Sequence, residues 1–258
     1  MAKPVLWHIG ISHYSEKARW ALAHKGVEHE RRAPTPGAHM LVALWLTRGR
    51  EKTFPVLRLD GRTIGDSTAI IGALEERFPE APLYPEDPDE RRRALELEDF
   101  FDEELGPHCR LLVFHYATRD PALVERFTAD LLPARLRDSG AARAGAGRFF
   151  SALVGLRYGV KSERAAELAK EKVVAAFDRL ESELDGNEHL VGDRFTVADL
   201  TAAALFYPIV RPPEGPRAPD PPGALEEFRA PLKDRPGYRW VEETFRRHRA
   251  AEREPVAA

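Results

Sequence analysis

The sequence predicts a small α/β domain followed by a larger all-helical domain. Short apolar strands alternate with helical patterns through residues 1–80. A stretch with four prolines, Pro79 to Pro88, then interrupts the pattern, and residues 81–88 read as a linker. Over residues 89–258 the apolar spacing is helical almost throughout. An order β-α-β-α-β-β-α followed by helices alone fits two domains of ordinary size, which 258 residues accommodate.

Each element has a local reason. Val5 to Ile9 is a short apolar strand. A helix is predicted from Tyr14 to Lys25, with Ala18, Ala21 and Leu22 on one face and Gly26 as its stop. Val27 to Arg32 reads as a second strand, followed by a proline-containing loop and the apolar stretch Leu41 to Leu46. Phe54 to Leu59 is an apolar strand with Pro55 near its start, where strands tolerate proline. Asp60-Gly61 closes a hairpin, and Arg62 to Ile64 returns. From Ser67 the apolar residues Ile70, Ile71, Leu74 and Phe78 repeat at helical spacing, until Pro79 ends the helix.

The second part reads as follows. Asp89 to Tyr116 is one long helix bent near Gly106-Pro107. Pro121 to Leu136 is another helix. Ser139 to Gly147, with its glycines, reads as a loop before the short apolar segment Phe149 to Gly155. Ser162 to Leu184 is an amphipathic helix. Thr196 to Pro208 is apolar and expected to be buried. It opens on a capping box of Thr196 with Asp199, and on a hydrophobic staple of Phe195 with Leu200. Arg211 to Gly223 is irregular, and Leu225 to Arg249 forms one or two closing helices around Pro236.

Composition excludes several function classes. The net charge is −3 and basic residues are dispersed, which argues against a nucleic-acid partner. No apolar run reaches membrane-spanning length, and the opening MAKPVLWHIG lacks a signal-peptide core. A cytoplasmic protein without a membrane partner is therefore expected. The single cysteine, Cys109, allows neither an internal disulfide nor a cysteine-rich metal site. The nine histidines show no H-E-x-x-H or similar spacing, so no metal is expected. The glycines near 140–147 do not spell a phosphate loop, and no G-x-S-x-G elbow is present.

Two motifs point to chemistry. Asp66-Ser67 begins a helix and alone reads as a cap. The same unpaired N–H groups attract a carboxylate, and Asp66 can meet an ammonium group. Phe54-Pro55 stands twelve residues earlier. Together these residues resemble the cytosolic glutathione transferases, whose first domain is thioredoxin-like. In that family a strand opens after a cis-proline, the place of Pro55, and the backbone of the preceding residue, here Phe54, pairs with the cysteinyl unit of glutathione. Asp66 and Ser67 resemble the pair that holds the γ-glutamyl end. The resemblance makes Lys52 a partner for the glycine carboxylate. It covers residues 4–80 and 160–208; the extra length falls near 117–160 and 211–223.

The second motif is Ser12-His13-Tyr14-Ser15. Thioredoxin-like proteins carry C-x-x-C here, whereas this chain has Ser12 and Ser15. Disulfide exchange needs a thiolate, so redox catalysis is not expected. A serine at the first position resembles the serine-type theta and zeta classes, where the hydroxyl donates to the glutathione sulfur. A free thiol titrates near ~8.5. A hydrogen bond to a charged group contributes roughly 1.5–3 kcal/mol, or about one to two pKa units. Ser12 is the first choice for that donor, Ser15 the second and Tyr14 the third. His13 is expected at the surface, and Arg19 is expected to pair with a carboxylate at the domain interface.

The resemblance implies a helical pocket for an electrophilic small molecule, with Phe101, Leu105, His108, Cys109 and Leu112 as candidates to shape it, although packing is the expected role for most of them. It also implies a homodimer, with the apolar face Ile70 to Phe78 compatible with a subunit contact. The leading expectation is conjugation of glutathione thiolate to an electrophile. The alternatives are a non-catalytic binder of glutathione or an apolar ligand, and a glutathione-dependent lyase, dehalogenase or isomerase. A different low-molecular-weight thiol is also open.

Overall fold

The computed structural model describes residues 3–34, 38–129, 132 and 136–249. The first part contains β1 (Val5–Trp7), α1 (His13–His24), β2 (Glu30–Arg32), α2 (Ala38–Leu46), β3 (Val56–Leu59), β4 (Arg62–Gly65) and α3 (Ser67–Arg77). Its sheet has the order β2-β1-β3-β4. β1 runs parallel to β2, with Leu6 opposite Arg31, because α1 provides the crossover. β1 runs antiparallel to β3, with Leu6 opposite Leu57, and β3 to β4, with Leu57 opposite Ile64. The β3–β4 turn has positive φ at Asp60 (48°) and Gly61 (79°), as a tight hairpin matching strand twist requires. The elements and their order are those the sequence predicts, with the first three strands two or three residues shorter and β4 one residue longer.

The helical part comprises α4 (Pro88–Phe100), a π-helical turn (Phe101–Leu105), α5 (Gly106–Ala117), α6 (Pro121–Ala129) and α7 (Gly140–Tyr158). It continues with α8 (Glu163–Leu184), α9 (Val197–Val210), α10 (Gly223–Arg229), a tight turn at Ala230–Leu232 and α11 (Pro236–His248). The bend expected near Gly106-Pro107 is the junction of the π turn with α5, whose first turn accepts Pro107. The end of the helix predicted over Pro121 to Leu136 lies partly outside the described residues. Residues 139–147 are not a loop. They form the first half of α7, capped by Ser139 Oγ on the Ala142 N–H and closed by left-handed Gly159. The alanines between the glycines keep helix propensity, and packing against α6 with an Arg143–Glu125 ion pair supplies the rest.

The capping box on α9 forms as read. Thr196 Oγ1 accepts from Ala198 N (3.3 Å), and Asp199 Oδ2 accepts from Thr196 N (2.8 Å). α9 is buried almost along its whole length and packs on α1, α4, α5 and α11. One hydrophobic core therefore runs through both parts, from Leu6, Trp20 and Ile71 to Phe101, Phe177 and Phe206. Ile70, Ile71 and Leu74 are fully buried within this core, which leaves Phe78 as the partly exposed large apolar residue of that face. Among the described residues no helix is long and apolar enough to cross a membrane.

α1 carries charge into this core. Lys17 has a fully buried side chain. Its Nζ lies 2.9 Å from Glu98 Oε1 on α4 and 2.7 Å from Asp102 Oδ1 on the π turn, and it donates to Thr68 Oγ1 on α3 (2.7 Å). Burial raises the Glu98 pKa and Lys17 opposes that rise. The Glu98 oxygens, sealed from solvent, have this ion pair but no hydrogen bond of good geometry. Lys17→Met leaves two acids uncompensated and should destabilise the fold by about 3–5 kcal/mol. Urea denaturation should show the Lys17→Met/Glu98→Leu double variant to be more stable than Lys17→Met alone.

Candidate functional site

A cavity of about 900 Å³ opens where the first domain meets α5 and α7. From the α/β side it is lined by the β1–α1 loop with Ser12, His13 and Tyr14, by Thr53, Phe54 and Pro55 before β3, and by Asp66 and Ser67 at the start of α3. From the helical side come Asp102, Glu103, Pro107 and Arg110, then Phe114, Phe149 and Tyr158. Residues distant in sequence meet here because β3 runs antiparallel to β1 and β4, so the β3 entry lies at the same end of the sheet as the β1–α1 and β4–α3 connections.

Ser12 is the N-cap of α1. Its Oγ accepts from the Ser15 N–H at 3.3 Å, and its backbone is extended (φ −80°, ψ 127°). A hydroxyl that accepts through a lone pair keeps its proton for donation. Capping and donation to a ligand are thus compatible in one residue. Ser15 is fully buried, and its Oγ accepts from the Ile9 N–H (3.1 Å). It does not line the cavity, and it fixes the loop that carries Ser12. Tyr14 reaches the cavity with its ring, while its hydroxyl donates to the Asp102 carbonyl (3.0 Å). Burial and the Asp102 carboxylate push its pKa up, so it stays neutral.

At α3, Asp66 adopts φ 67°, a region sparsely used by non-glycine residues, and costs of order 1–3 kcal/mol there. Its Oδ1 accepts from the N–H groups of Thr68 (2.9 Å) and Ala69 (3.0 Å). The bland capping role is therefore real. Ser67 Oγ is buried without a hydrogen-bond partner, at the cavity wall and on the positive end of a helix. The Phe54–Pro55 bond is cis. Among the described residues no group hydrogen-bonds to the Phe54 main chain. Lys52 is exposed and does not line the cavity.

Several expectations are corrected. Phe101, Leu105, Cys109 and Leu112 are fully buried in the core and do not line the cavity. His108 is not a wall residue either; its Nδ1 bonds the Glu104 carbonyl (2.8 Å). Packing claims the first four, as expected for most of the set, and α5 turns a different face to the cavity. Its cavity face is Pro107, Arg110, Val113 and Phe114, and the π turn presents Asp102 and Glu103. Burial pushes the Cys109 thiol far up, which makes it inert. Arg19 pairs with Glu16 of its own helix (2.6 Å), while Arg249 of the C-terminal segment supplies the long-range partner of Glu16 (2.6 Å). His13 is not at the surface. It is 4% exposed, and its Nε2 faces the Gly106 carbonyl at 2.9 Å. Gly106 also admits Tyr14, since a Cβ there would sit 2.3 Å from the Tyr14 hydroxyl.

The fold and cavity define the class as a thioredoxin-like α/β domain joined to an all-α domain, with a cavity at the junction. Residues 6–82 match the family model for the N-terminal domain of glutathione S-transferase, and residues 126–229 match that for its C-terminal domain. The chain belongs to the glutathione S-transferase family. Similar curated proteins include the maleylacetoacetate isomerase of Rattus norvegicus, 34% identical over 43% of this chain and 53% of its own length. That of Dictyostelium discoideum is 26% identical over 80% of this chain and 78% of its own. The first relatives are matched over about half their length, 51% for the Drosophila melanogaster probable maleylacetoacetate isomerase 1.

Among solved structures, a beta-etherase of Sphingobium superposes with a TM-score of 0.61 at 20% identity, covering 94% of this chain and 99% of that one. A glutathione S-transferase of Methylobacterium radiotolerans, solved with glutathione sulfonate, gives 0.55 at 20%, covering 92% and 93%. At these identities the likeness is one of fold.

Burial, with the nearby Arg110 charge, lowers the His13 pKa from 6.5 to about 3. The folded value lies below the unfolded one, so the stability linked to neutral His13 is complete above pH 6.5 and is lost as pH falls toward about 3. Acidification from the unfolded value to roughly pH 5 should cost about 2 kcal/mol at this residue. His24, His39 and His248 are shifted in the same direction by burial. Urea midpoints measured against pH should fall on acidification, and His13→Gln should flatten part of that fall.

Proposed function

We propose that the protein binds glutathione across the α/β wall of the cavity and uses Ser12 to hold its sulfur as a thiolate, which attacks an electrophilic small molecule. The observation that carries this reading is the state of Ser12. Its oxygen accepts from Ser15 N, leaving its O–H free to donate where the cavity wall begins. The residues around it fit the peptide. The partnerless Ser67 Oγ and the N-terminus of α3 suit the γ-glutamyl carboxylate. Asp66 suits its ammonium group. The Phe54 main chain is available for the cysteinyl backbone. Lys52 is outside the cavity, so the glycine carboxylate has no assigned partner.

The chemistry needs no general base. A bound thiol is acidified by the Ser12 donor and by the start of α1, together about one to two pKa units. Its proton leaves to solvent, the sulfur attacks the electrophilic centre, and the leaving group departs. Neutral Tyr14 and neutral His13 are both committed to main-chain carbonyls and do not take that proton.

Ser12→Ala should raise the pKa of the bound thiol by about one to two units and lower kcat/KM near neutral pH roughly ten- to a hundredfold. The glutathione KM should move little. Thiolate absorbance against pH, together with conjugation assays on a panel of electrophiles, checks both. Unchanged turnover removes Ser12 from the mechanism.

A second reading is a glutathione-dependent isomerase, favoured by relatives named maleylacetoacetate isomerase. Product analysis separates the two. Conjugation consumes one thiol per turnover, whereas isomerisation returns it, so a thiol titration that stays flat while substrate disappears selects the isomerase. Tight glutathione binding with neither outcome selects a binding protein. No binding at millimolar concentration, with another thiol binding instead, replaces the co-substrate.

A further inference from the structure

Resting on the transferase reading, we infer that Arg110 binds a carboxylate of the second substrate, which makes that electrophile an apolar or aromatic acid. Arg110 stands on α5 in the cavity wall. Its guanidinium carbon lies 5.5 Å from the centre of the Tyr14 ring and 5.0 Å from that of Tyr158. Two aromatic faces thus hold the cation in place. Ring faces stabilise the charge without satisfying its five N–H donors.

Several other buried or half-buried arginines have acids, while half-buried Arg211 bonds the Ala218 carbonyl (3.0 Å). Arg19 pairs with Glu16, Arg229 with Glu226, Arg235 with Glu181 and Arg249 with Glu16. Among the described residues, no carboxylate comes within ion-pair distance of Arg110. The acids in the same wall do not supply one: Asp66 caps α3 and Asp102 pairs with Lys17. Glu103 is exposed and makes no ion pair with it. A preoriented guanidinium with open donors matches a planar carboxylate in bidentate fashion.

The remaining surroundings set the rest of the ligand. Val113, Phe114, Phe149 and Leu153 supply an apolar wall on the same side of the cavity. A second fixed charge among them would be uncompensated, which favours a single carboxylate on an apolar body over a phosphate or a diacid. Tyr158 also receives Arg157, whose Nε donates to its hydroxyl (3.1 Å). Arg157 is exposed, so its field is screened by water and Arg110 carries the recognition.

The test compares para-chloro-meta-nitrobenzoate with its methyl ester, two electrophiles of matched shape that differ in charge. Each is assayed with glutathione on wild type, Arg110→Gln and Arg110→Lys. The acid-over-ester ratio of kcat/KM should fall about tenfold or more in Arg110→Gln and recover partly in Arg110→Lys. A ratio that does not change overturns the inference. So does a rise in glutathione KM in place of the lost ratio, since Arg110 would then hold the peptide's own carboxylate. If neither compound is conjugated, the transferase reading fails separately. Calorimetry on the glutathione-saturated protein with para-nitrobenzoate and its methyl ester then decides Arg110. An acid preference in wild type that is lost in Arg110→Gln supports it. Equal binding of the two, or no binding of either, overturns it.

Discussion

The structure depends on the burial of a charged helix. α1 lies between the sheet, α3 and α9, so Ser15 to Leu22 are all buried, Glu16, Lys17 and Arg19 among them. A charge taken out of water is tolerated only when paired. The partners come from every side. Glu98 and Asp102 of the helical domain meet Lys17, and Arg249, beyond α11, meets Glu16. Each pair ties a separate part of the chain to α1. The hydrophobic core is likewise continuous across the junction of the two domains.

The same constraint aims the site. Arg19, held by Glu16, donates to the carbonyls of Ile9 (3.3 Å) and Gly10 (2.9 Å), and Ser15 receives the Ile9 N–H. The loop that presents Ser12 is thereby fixed from below by α1. Lys17 reaches Thr68 at the first turn of α3, directly after Ser67. Both helix N-termini on the cavity wall are positioned by the pairs that make α1 buriable. The helical domain supplies the π turn, and Asp102 serves both ends, its carboxylate on Lys17 and its carbonyl on Tyr14.

Much of this was legible in the chain itself. The hairpin at Asp60-Gly61, the start of α3 at Asp66-Ser67 and the capping box at Thr196–Asp199 depend on neighbours within a few residues, and local geometry decides them. Where long-range packing decides, the reading failed. The glycines after Ser139 suggested a loop, yet α6 offers a surface that makes helix the better state. The place of α5 was legible, but which of its faces turns inward is set by the helices packed against it: Phe101, Leu105 and Cys109 lie in the core and Arg110 at the cavity. The signal for Arg110 was present only as a basic residue amid apolar ones.

The sequence by itself determined the order of elements in the first part and the division into an α/β part and a helical part. These follow from periodicity, turn chemistry and caps, which act over one or two turns of chain. Only the tertiary structure decided which hydroxyl stands at the cavity, that His13 is buried and neutral, and which face of α5 lines that cavity. Burial, partner supply and helix register are set by elements far apart in the chain, so no local pattern encodes them.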